Sequence, residues 1–381
     1  MWPPLLLAPA ACLWAQVEFV PHVIEPKIPG GYAVHVADLN KDGRPDVIGL
    51  TSRITELAWY ENPAWQRHVL IGDMKGLVNL AVHDMDGDGI PEIAVENEFS
   101  MVAANSKGLV WLLRHQGDPR QPWKAQPIDE LTTSHHAGWA DVDGDGVKEL
   151  INAPLIGSQA LAPRYEDRVS LVYYSTSDWK RRVIDDQLNG VLHRLRVVKW
   201  DPGKRDQILT AGFDGITLHR ARGSGDQFRW ENLRLARGHE EAAPRAGSSD
   251  VGMGQLKKRR FLAAIEPWHG NEVVVYTESG GRWQRRVIFS ELQEGHEVAL
   301  GDFDGDGRQD IAAGDRRAGN VHAFFSLDDA GAQWKHVVVD QGGMAGSGCV
   351  TADINGDRRI DIVCIGSATS NLKWYENRAA R

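Results

Sequence analysis

Residues 37–50 read ADLNKDGRPDVIGL, an acidic turn between two apolar runs, and this stretch decides the fold. Counted from Asp38, carboxylate or amide side chains occupy positions 1, 3, 5 and 9 of the turn, and Gly43 occupies position 6. Short β-rich runs on either side of a tight polar turn predict a β-hairpin. Similar hairpins recur along the chain, so the sequence is built from repeats.

Seven repeat units follow one another at an average spacing of about 52 residues. Their turns begin at Asp38, Asp84, Asp141, Asp201, Gln255, Asp302 and Asp353. Each unit continues with two more short runs, and the last of these typically starts with an aromatic residue, as in residues 65–70 and 123–128. Four strands in roughly 50 residues are typical of a propeller blade. We therefore predict an all-β fold, a seven-bladed β-propeller of four-stranded blades.

The two ends of the chain share one blade in this interpretation. The seventh unit reaches only its third strand, at residues 372–375, before the sequence stops. Residues 19–24 repeat the fourth-strand pattern at the other terminus. An N-terminal strand that completes the last blade would close the ring and leave no exposed sheet edge. Residues 16–381 are thus expected to form a single domain.

Composition narrows the class of protein and its partners. Of the 381 residues, 42% are apolar and 25% charged, and 43 basic against 52 acidic residues give a formal charge of −9. This is ordinary for a globular protein. The acidic balance argues against nucleic acid or an anionic membrane as partner, since both favour a basic face. No apolar run reaches the roughly 18 residues of a transmembrane helix, so none is expected.

The first fifteen residues differ from the rest of the chain. A short apolar run ends at Ala15, which predicts a signal peptide over residues 1–15 and a secreted or periplasmic protein. No Lys or Arg precedes the run, so a disordered tail is the alternative, and a lipoprotein anchor at Cys12 is less well supported. Cleavage would leave Cys349 and Cys364, which could form a cross-strand disulfide or remain two buried thiols.

Five of the seven turns are predicted to bind calcium. They carry acidic or amide residues at positions 1, 3, 5 and 9, and hard oxygen ligands at alternate positions suit Ca²⁺. The predicted ligands are Asp38, Asn40, Asp42, Asp46, Asp84, Asp86, Asp88, Glu92, Asp141, Asp143, Asp145, Glu149, Asp302, Asp304, Asp306, Asp310, Asp353, Asn355, Asp357 and Asp361. Arg358 replaces the usual glycine in the fifth loop. Five Ca²⁺ ions would shift the formal charge from −9 to about +1, so we expect a structural role for calcium.

These acidic turns resemble the FG-GAP, or VCBS, repeats of secreted β-propellers, and the likeness covers nearly the whole chain. A narrower set of segments is similar to the propeller domain of the aldos-2-ulose dehydratase family. These segments are LINAPLIG at residues 150–157, IEPWHG at residues 265–270 and LKWYEN at residues 372–377. The narrower resemblance implies a carbohydrate-active lyase that catalyses elimination next to a sugar carbonyl.

A histidine-rich group is predicted at the end of the propeller opposite the acidic turns. His135, His136, His193 and His296 lead into three different blades, and a loop of the fifth blade carries Glu266, Trp268 and His269. Innermost strands surround a central channel, so these side chains could converge. Imidazoles together with a carboxylate can hold Zn²⁺ or another divalent ion with an open coordination position. His35, His83 and His219 lie within strands and are expected to be structural.

Specific roles follow from this arrangement as hypotheses. We expect His136, His193 and His269 to be metal ligands or bases, with Glu266 as a general acid or base. The residues expected to bind a hydroxylated substrate are Arg164, Arg194, Trp268, His296 and Arg316. The alternative function is a non-catalytic propeller that binds a glycan or a protein, as in adhesion receptors.

Overall fold

Each of the seven repeat units folds into a four-stranded antiparallel sheet. The structure is a computed structural model that describes residues 17–223 and 228–379. The predicted signal peptide, residues 1–15, lies outside these ranges. Contacts between successive first strands run around a complete ring, from the first blade to the seventh and back. The predicted seven-bladed β-propeller is confirmed.

The strands are numbered in chain order and grouped here by their place in a blade. The innermost strands are β2 (Gly31–Ala37), β6 (Asn79–His83), β10 (Ser134–Ala140), β14 (Leu192–Val198), β20 (Asp250–Leu256), β24 (Gly295–Gly301) and β28 (Gly346–Ala352). The second strands are β3 (Asp46–Thr51), β7 (Glu92–Asn97), β11 (Glu149–Pro154), β15 (Gln207–Gly212), β21 (Arg259–Glu266), β25 (Asp310–Asp315) and β29 (Asp361–Gly366).

The outer half of each blade is built in the same way. The third strands are β4 (Leu57–Glu61), β8 (Leu109–Arg114), β12 (Arg168–Tyr174), β16 (Gly215–Arg222), β22 (Glu272–Ser279), β26 (Asn320–Ser326) and β30 (Leu372–Asn377). The outermost strands are β5 (Gln66–Ile71), β9 (Lys124–Glu130), β13 (Arg181–Asn189), β17 (Arg229–Ala236), β23 (Arg282–Phe289), β27 (Trp334–Asp340) and β1 (Phe19–Glu25). A short hairpin, β18 (His239–Glu240) and β19 (Ala246–Gly247), and one 3₁₀ turn, Ala103–Asn105, lie in connecting loops.

Strand β1 closes the ring as the sequence predicts. It pairs antiparallel with β30, from Phe19 opposite Asn377 to Glu25 opposite Leu372. The last blade therefore combines three strands from the C-terminal end of the chain with one from the N-terminal end. This pairing satisfies the backbone groups that β30 would otherwise expose at an open edge.

Burial explains why the second strands read as continuous apolar runs. Every residue of β3, β7 and β25 is buried, because both faces of a blade pack against the neighbouring blades. The outermost strands, such as β17 and β23, are largely exposed and polar. Side-chain amides tie adjacent blades together at the rim. Asn62 Nδ2 donates to the Ile354 carbonyl at 2.8 Å, and Asn377 Nδ2 donates to the Phe303 carbonyl at 2.7 Å.

The two cysteines form a disulfide. Cys349 and Cys364 lie directly opposite each other on β28 and β29, and their sulfur atoms are 2.09 Å apart. The predicted cross-strand disulfide is therefore present, and the alternative of two buried thiols is wrong. In the described part of the chain, no helix has the length and apolar character needed to cross a membrane.

Ring closure gives a stability prediction in which two neighbouring residues of β1 serve as test and control. Ile24 is 7% exposed and packs in the core between the last and first blades, whereas Val23 is 52% exposed. We expect Ile24→Ala to lower the free energy of unfolding by about 2–4 kcal/mol, because it leaves a cavity in that core. Val23→Ala should change it by less than about 0.5 kcal/mol. Denaturant unfolding of both variants checks this, and equal effects would mean that β1 does not seal the ring.

Candidate functional site

The innermost strands share an irregularity at their second residue, at the end of the propeller opposite the acidic turns. The strand register shifts there in five blades. The residues at this position are Tyr32, His135, His193, His296 and Ser347. A β-bulge bends its strand and redirects a side chain, and bulges are common beside functional sites. The repeat architecture therefore presents one equivalent residue from each of these five blades to a common region.

Contacts between blades that are not neighbours show that this region is the propeller axis. His135 of the third blade lies 5.2 Å from His193 of the fourth, measured between ring centroids. His193 lies 4.9 Å from His296 of the sixth blade. Tyr32 of the first blade lies 5.4 Å from His296 and 6.0 Å from His135. Side chains from blades 1, 3, 4 and 6 can meet only at the centre.

Three imidazoles form what we call the histidine cluster: His193, His269 and His296. One nitrogen of each lies within 4.8 Å of the other two. The Nε2 atoms of His193 and His269 are 3.1 Å apart. His269 reaches the axis from the loop between β21 and β22 of the fifth blade. Blades 4, 5 and 6 thus each contribute one member.

Backbone carbonyls fix the orientation of two cluster members. His193 Nδ1 donates to the Ser249 carbonyl at 2.7 Å, and His296 Nδ1 donates to the Ser347 carbonyl at 2.5 Å. Each ring therefore carries its proton on Nδ1 and offers the Nε2 lone pair to the cluster. His296 Nε2 is buried without a hydrogen-bond partner among the described residues.

Burial keeps the cluster uncharged. Loss of solvation is the main cause that lowers the pKa of His193, His269 and His296 well below the ordinary histidine value. The nearby Arg316 guanidinium lowers all three pKa values further. Neutral imidazole is the form that binds metal ions, so these ligands need no deprotonation at neutral pH.

The donor set fits zinc. Zinc binds imidazole nitrogens at about 2.0–2.1 Å, and two such nitrogens in tetrahedral geometry lie about 3.3 Å apart. The 3.1 Å between the Nε2 atoms of His193 and His269 is close to that spacing. Backbone carbonyls that hold the other ring nitrogen are the usual second layer of a histidine–metal site. Three nitrogen ligands would leave a fourth position open, as catalytic zinc sites do.

A small cavity lies beside the cluster along the axis. Its volume is about 120 Å³, and its lining includes Tyr32, His35, Asn79, His136 and His296. His35, expected to be structural, therefore also lines the central cavity.

Several polar atoms in this region lack a partner among the described residues. They are His135 Nδ1, His296 Nε2, Trp268 Nε1 and Arg316 Nε. Buried polar groups are normally hydrogen-bonded, so these atoms are candidates for contacts with a polar ligand at the cluster; of the four residues, only His296 lines the cavity.

Below the cavity lies a layer of buried ion pairs made by Arg194, Arg196, Asp250 and Glu297. Arg194 contacts Asp250 at 2.8 Å and Glu297 at 3.0 Å. Arg196 contacts the same two carboxylates at 3.0 and 3.2 Å. Each cation touches both anions, so the charges compensate one another inside the ring. This ion-pair layer forms the floor of the cavity.

Three predictions about substrate and acid–base residues do not hold as stated. Arg194 is only 6% exposed and is held in the ion-pair layer, so it is not free to orient a substrate. Arg164 is 70% exposed and pairs with Glu166, and it makes no described contact with the histidine cluster. Both carboxylate oxygens of Glu266 are held by residues outside the histidine cluster. Its oxygens accept hydrogen bonds from Ser248 at 2.8 Å, Tyr276 at 2.6 Å and Arg285 at 2.8 Å.

The remaining predicted residues do come together at the axis. Trp268 packs against His269 with ring centroids 4.7 Å apart, and Arg316 lies close enough to influence the cluster electrostatically. His136 lies at the edge of the group: its ring centroid is 6.3 Å from that of His193, and its Nδ1 contacts the Asn79 amide. His136 therefore lines the cavity but is not one of the three converging ligands.

Sequence reasoning missed several residues of the site. Tyr32 contacts His135 Nε2 through its hydroxyl at 2.7 Å, and Asn79 bridges His35 and His136. Asp250 and Glu297 were missed as the buried partners of the arginines. One signal was present: Tyr32 occupies the same position of its repeat as His135, His193 and His296. Aligning the repeats at the first strand would have identified it.

The five acidic turns lie at the other end of the innermost strands, about 20 Å away for a seven-residue strand. They share one conformation, in which the position-1 carboxylate accepts the position-6 amide. The donors are Gly43, Gly89, Gly146, Gly307 and Arg358, at 2.8–3.1 Å. Arg358 adopts φ +67°, close to Gly43 at +83°. The missing glycine therefore does not change the shape of the fifth loop.

The carboxylate at position 9 takes different roles in different turns. Glu92 and Glu149 each join two aspartates of their own turn in a group of three carboxylates. Asp46 instead accepts amides from Leu39 and Asn62, both at 2.9 Å, and Asp310 and Asp361 are bound in the same way. Glu92 and Glu149 also accept one backbone amide each, from Met85 at 2.8 Å and from Val142 at 3.1 Å, whereas each aspartate accepts two. The prediction of a ligand at position 9 therefore fits two turns better than the other three.

Family comparisons agree with the repeat structure. A model of FG-GAP-like repeats matches residues 38–95 and 302–364, which contain four of the five acidic turns. The chain carries FG-GAP-like repeats. A model described as the aldos-2-ulose dehydratase β-propeller domain matches residues 107–279. That segment includes His135, His193 and His269, and both matches confirm the resemblance inferred from the sequence.

One curated relative also matches this FG-GAP-repeat propeller. Aldos-2-ulose dehydratase of Phanerodontia chrysosporium is 22% identical over 267 residues, which cover 61% of the chain. The aligned region spans 29% of the length of that enzyme. The chain is thus similar to part of a carbohydrate-active enzyme.

The contacts of Glu266 predict a structural role that a conservative variant can test. Glu266→Gln should lower the free energy of unfolding by about 1–3 kcal/mol, because it weakens a buried ion pair with Arg285. Glu272 also pairs with Arg285 but is partly exposed, so Glu272→Gln is the matched control and should cost less. Thermal unfolding and zinc titration of both variants provide the measurement. Loss of zinc binding in Glu266→Gln without loss of stability would contradict this role.

Proposed function

We propose that this propeller is a zinc-dependent carbohydrate lyase of the dehydratase type, with its active centre at the histidine cluster. The observation that carries the proposal is the convergence of His193, His269 and His296, whose nitrogens lie within 4.8 Å of one another. Similarity to the propeller domain of aldos-2-ulose dehydratase supports a sugar as the substrate. The reaction removes a proton next to a carbonyl and releases the hydroxyl of the following carbon as water.

The chain offers a group for polarising the carbonyl and a group for removing the proton, and the proton taken up by the base can return to the departing hydroxyl, which leaves as water. Zinc held by the three Nε2 atoms would act as a Lewis acid toward the sugar carbonyl. His135 is the proposed base, because its Nδ1 is unpartnered while its Nε2 contacts the Tyr32 hydroxyl at 2.7 Å. Burial lowers the pKa of His135 to about 3, so the ring stays neutral but is a weak base. Proton removal at Nδ1 therefore requires a strongly acidified C–H bond.

Two groups at the rim of the cluster are proposed to position the sugar. Arg316 has an unpartnered Nε and a side chain that is 21% exposed, so it can reach both the cluster and a ligand. Trp268 has an unpartnered indole N–H and packs against His269. An N–H donor and a guanidinium suit the hydroxyls of a sugar. The ion-pair layer below closes the cavity.

Calcium is proposed as a structural ion of the acidic turns. Groups of three carboxylates occur at Asp84, Asp86 and Glu92, at Asp141, Asp143 and Glu149, and at Asp302, Asp304 and Asp306. Oxygen-only donor sets of this kind suit Ca²⁺. In the turns of blades 1 and 7, Asn40 and Asn355 replace one carboxylate, and an amide oxygen is also an acceptable ligand. A secreted or periplasmic location is part of the proposal, because a disulfide persists in oxidising compartments.

Zinc binding provides the first test. We expect one tightly bound zinc ion per chain, and we expect His193→Ala combined with His269→Ala to weaken binding by about 100-fold or more. His322 and His336 lie 2.9 Å apart on the outer part of the sixth blade, so His322→Ala with His336→Ala is a matched control that should retain zinc. Metal analysis after dialysis and competition titration measure both.

Activity separates the lyase from the alternative. Osones and anhydro-sugars should give ultraviolet-absorbing enone products with the wild-type chain and none with the His193 and His269 double variant. A chain that binds glycan equally well in both forms and releases no enone would be a non-catalytic binding module, and the lyase proposal would fail.

Calcium should stabilise the fold more strongly as the pH rises. In the metal-free chain, burial and neighbouring carboxylates raise the pKa of Asp46, Glu149 and Asp361 to about 7 and of Asp310 to about 8. A raised folded-state pKa contributes stability that is present below about pH 4 and lost as the pH rises through 7 to 8. Calcium would offset this loss. We expect the increase in melting temperature on replacing EGTA with Ca²⁺ to grow from pH 5 to pH 8. An unchanged melt in excess EGTA at pH 8 would contradict the proposal.

A further inference from the structure

Blades 4 and 5 lack the acidic-turn pattern of the other five blades, and blade 5 carries basic residues in its place. The turn of the fifth blade, residues 257–260, reads KKRR, and the fourth blade contributes Lys199. These residues surround an open pocket of about 500 Å³ at the end of the propeller that bears the acidic turns. The lining side chains are Lys199, Met253, Gln255, Lys258, Arg259, Arg260 and Glu278, together with Gly280 and Gly281. We call this the basic pocket.

Two arginines of the basic pocket are held by neutral groups. Arg260 Nη1 donates to the Trp200 carbonyl at 2.7 Å, and its guanidinium lies 4.5 Å from the centre of the Trp200 ring. Arg259 Nη2 donates to the Glu278 carbonyl at 2.9 Å. Carbonyls and a ring face orient a guanidinium without neutralising its charge. Neither arginine has a carboxylate within ion-pair distance among the described residues.

Several other arginines of the propeller are paired with carboxylates, although Arg205 is also held by carbonyls and a ring face. Arg181 pairs with Asp129 at 2.7 Å, Arg182 with Asp178 at 2.9 Å, and Arg285 with Glu266 at 2.8 Å. In the basic pocket, Lys199 is neutralised by Asp206 at 2.8 Å, whereas Lys258 has no described partner. Three unneutralised cations thus face one carboxylate, that of Glu278. A concave site with such an excess of positive charge favours the binding of an anion.

We propose that the basic pocket binds the acidic group of an acidic oligosaccharide, a sugar carboxylate or sulfate. The planar fork of Arg259 can form paired hydrogen bonds to either group, and Lys258 adds a mobile charge. The pocket volume accommodates a sugar unit as well as its acidic group. The sugar part of this inference rests on the proposed function, whereas the anionic part rests on the pocket alone. Because the histidine cluster lies at the other end of the strands, the pocket is a docking site separate from the reaction.

The test compares binding of oligogalacturonate, dextran sulfate, neutral dextran and polyglutamate by the full chain in Ca²⁺-containing buffer. Lys258→Glu with Arg259→Glu should weaken binding of the preferred acidic carbohydrate about tenfold or more. Lys27→Glu with Lys124→Glu is the matched control, because it makes the same change of net charge at two exposed sites on other blades. The control should bind like the wild-type chain. Which of the first two probes binds more tightly identifies the acidic group.

The outcomes also separate this site from the proposed active centre. The His193→Ala and His269→Ala double variant should retain binding of the acidic carbohydrate, even if it loses zinc and activity. Binding that survives the Lys258 and Arg259 reversal would place the ligand elsewhere, for example on calcium in the acidic turns, and would overturn the proposal. Equal binding of neutral dextran would exclude an anion site, and equal binding of polyglutamate would exclude a carbohydrate site.

Discussion

Backbone pairing between β1 and β30 is the constraint on which the rest of the structure depends. The outermost strand of the last blade comes from the other end of the chain, so this pairing ties the first and last blades together and holds the seven blades around one axis. Closure sets the distance between opposite innermost strands. That distance decides whether a residue of the fourth blade can touch one of the sixth, as His193 and His296 do. The histidine cluster is therefore a product of the ring, and no single blade contains it.

The common direction of the innermost strands also places two kinds of possible metal ligand at opposite ends of the ring. The innermost strands begin at the histidine cluster and end at the acidic turns. Imidazole nitrogens therefore lie at one end of the ring and carboxylate oxygens at the other. Between them, the two arginines and two carboxylates of the ion-pair layer compensate one another. Desolvation inside the ring lowers the pKa values of the cluster imidazoles, so they stay neutral.

The sequence predicts what is local and repeated, and less of what depends on orientation across blades. The hairpins and the acidic turns follow from patterns within about 50 residues. Ring closure follows from the same repeat, because its last copy is divided between the two ends of the chain. Glu266 was misassigned because it lies only three residues from His269, yet its side chain is held by Tyr276 and Arg285. Arg194 was misassigned because its partners, Asp250 and Glu297, belong to other blades and only the folded ring brings them together.

X-ray absorption at the zinc edge can determine whether three imidazoles from three blades bind one zinc ion. For the zinc-loaded chain, we expect three histidine nitrogens at about 2.0–2.1 Å from the ion and at least one oxygen ligand from solvent or substrate. The His193→Ala and His269→Ala double variant should lose these nitrogen ligands. Oxygen ligands alone, or a spectrum that is the same for the double variant, would show that the histidine cluster does not bind zinc.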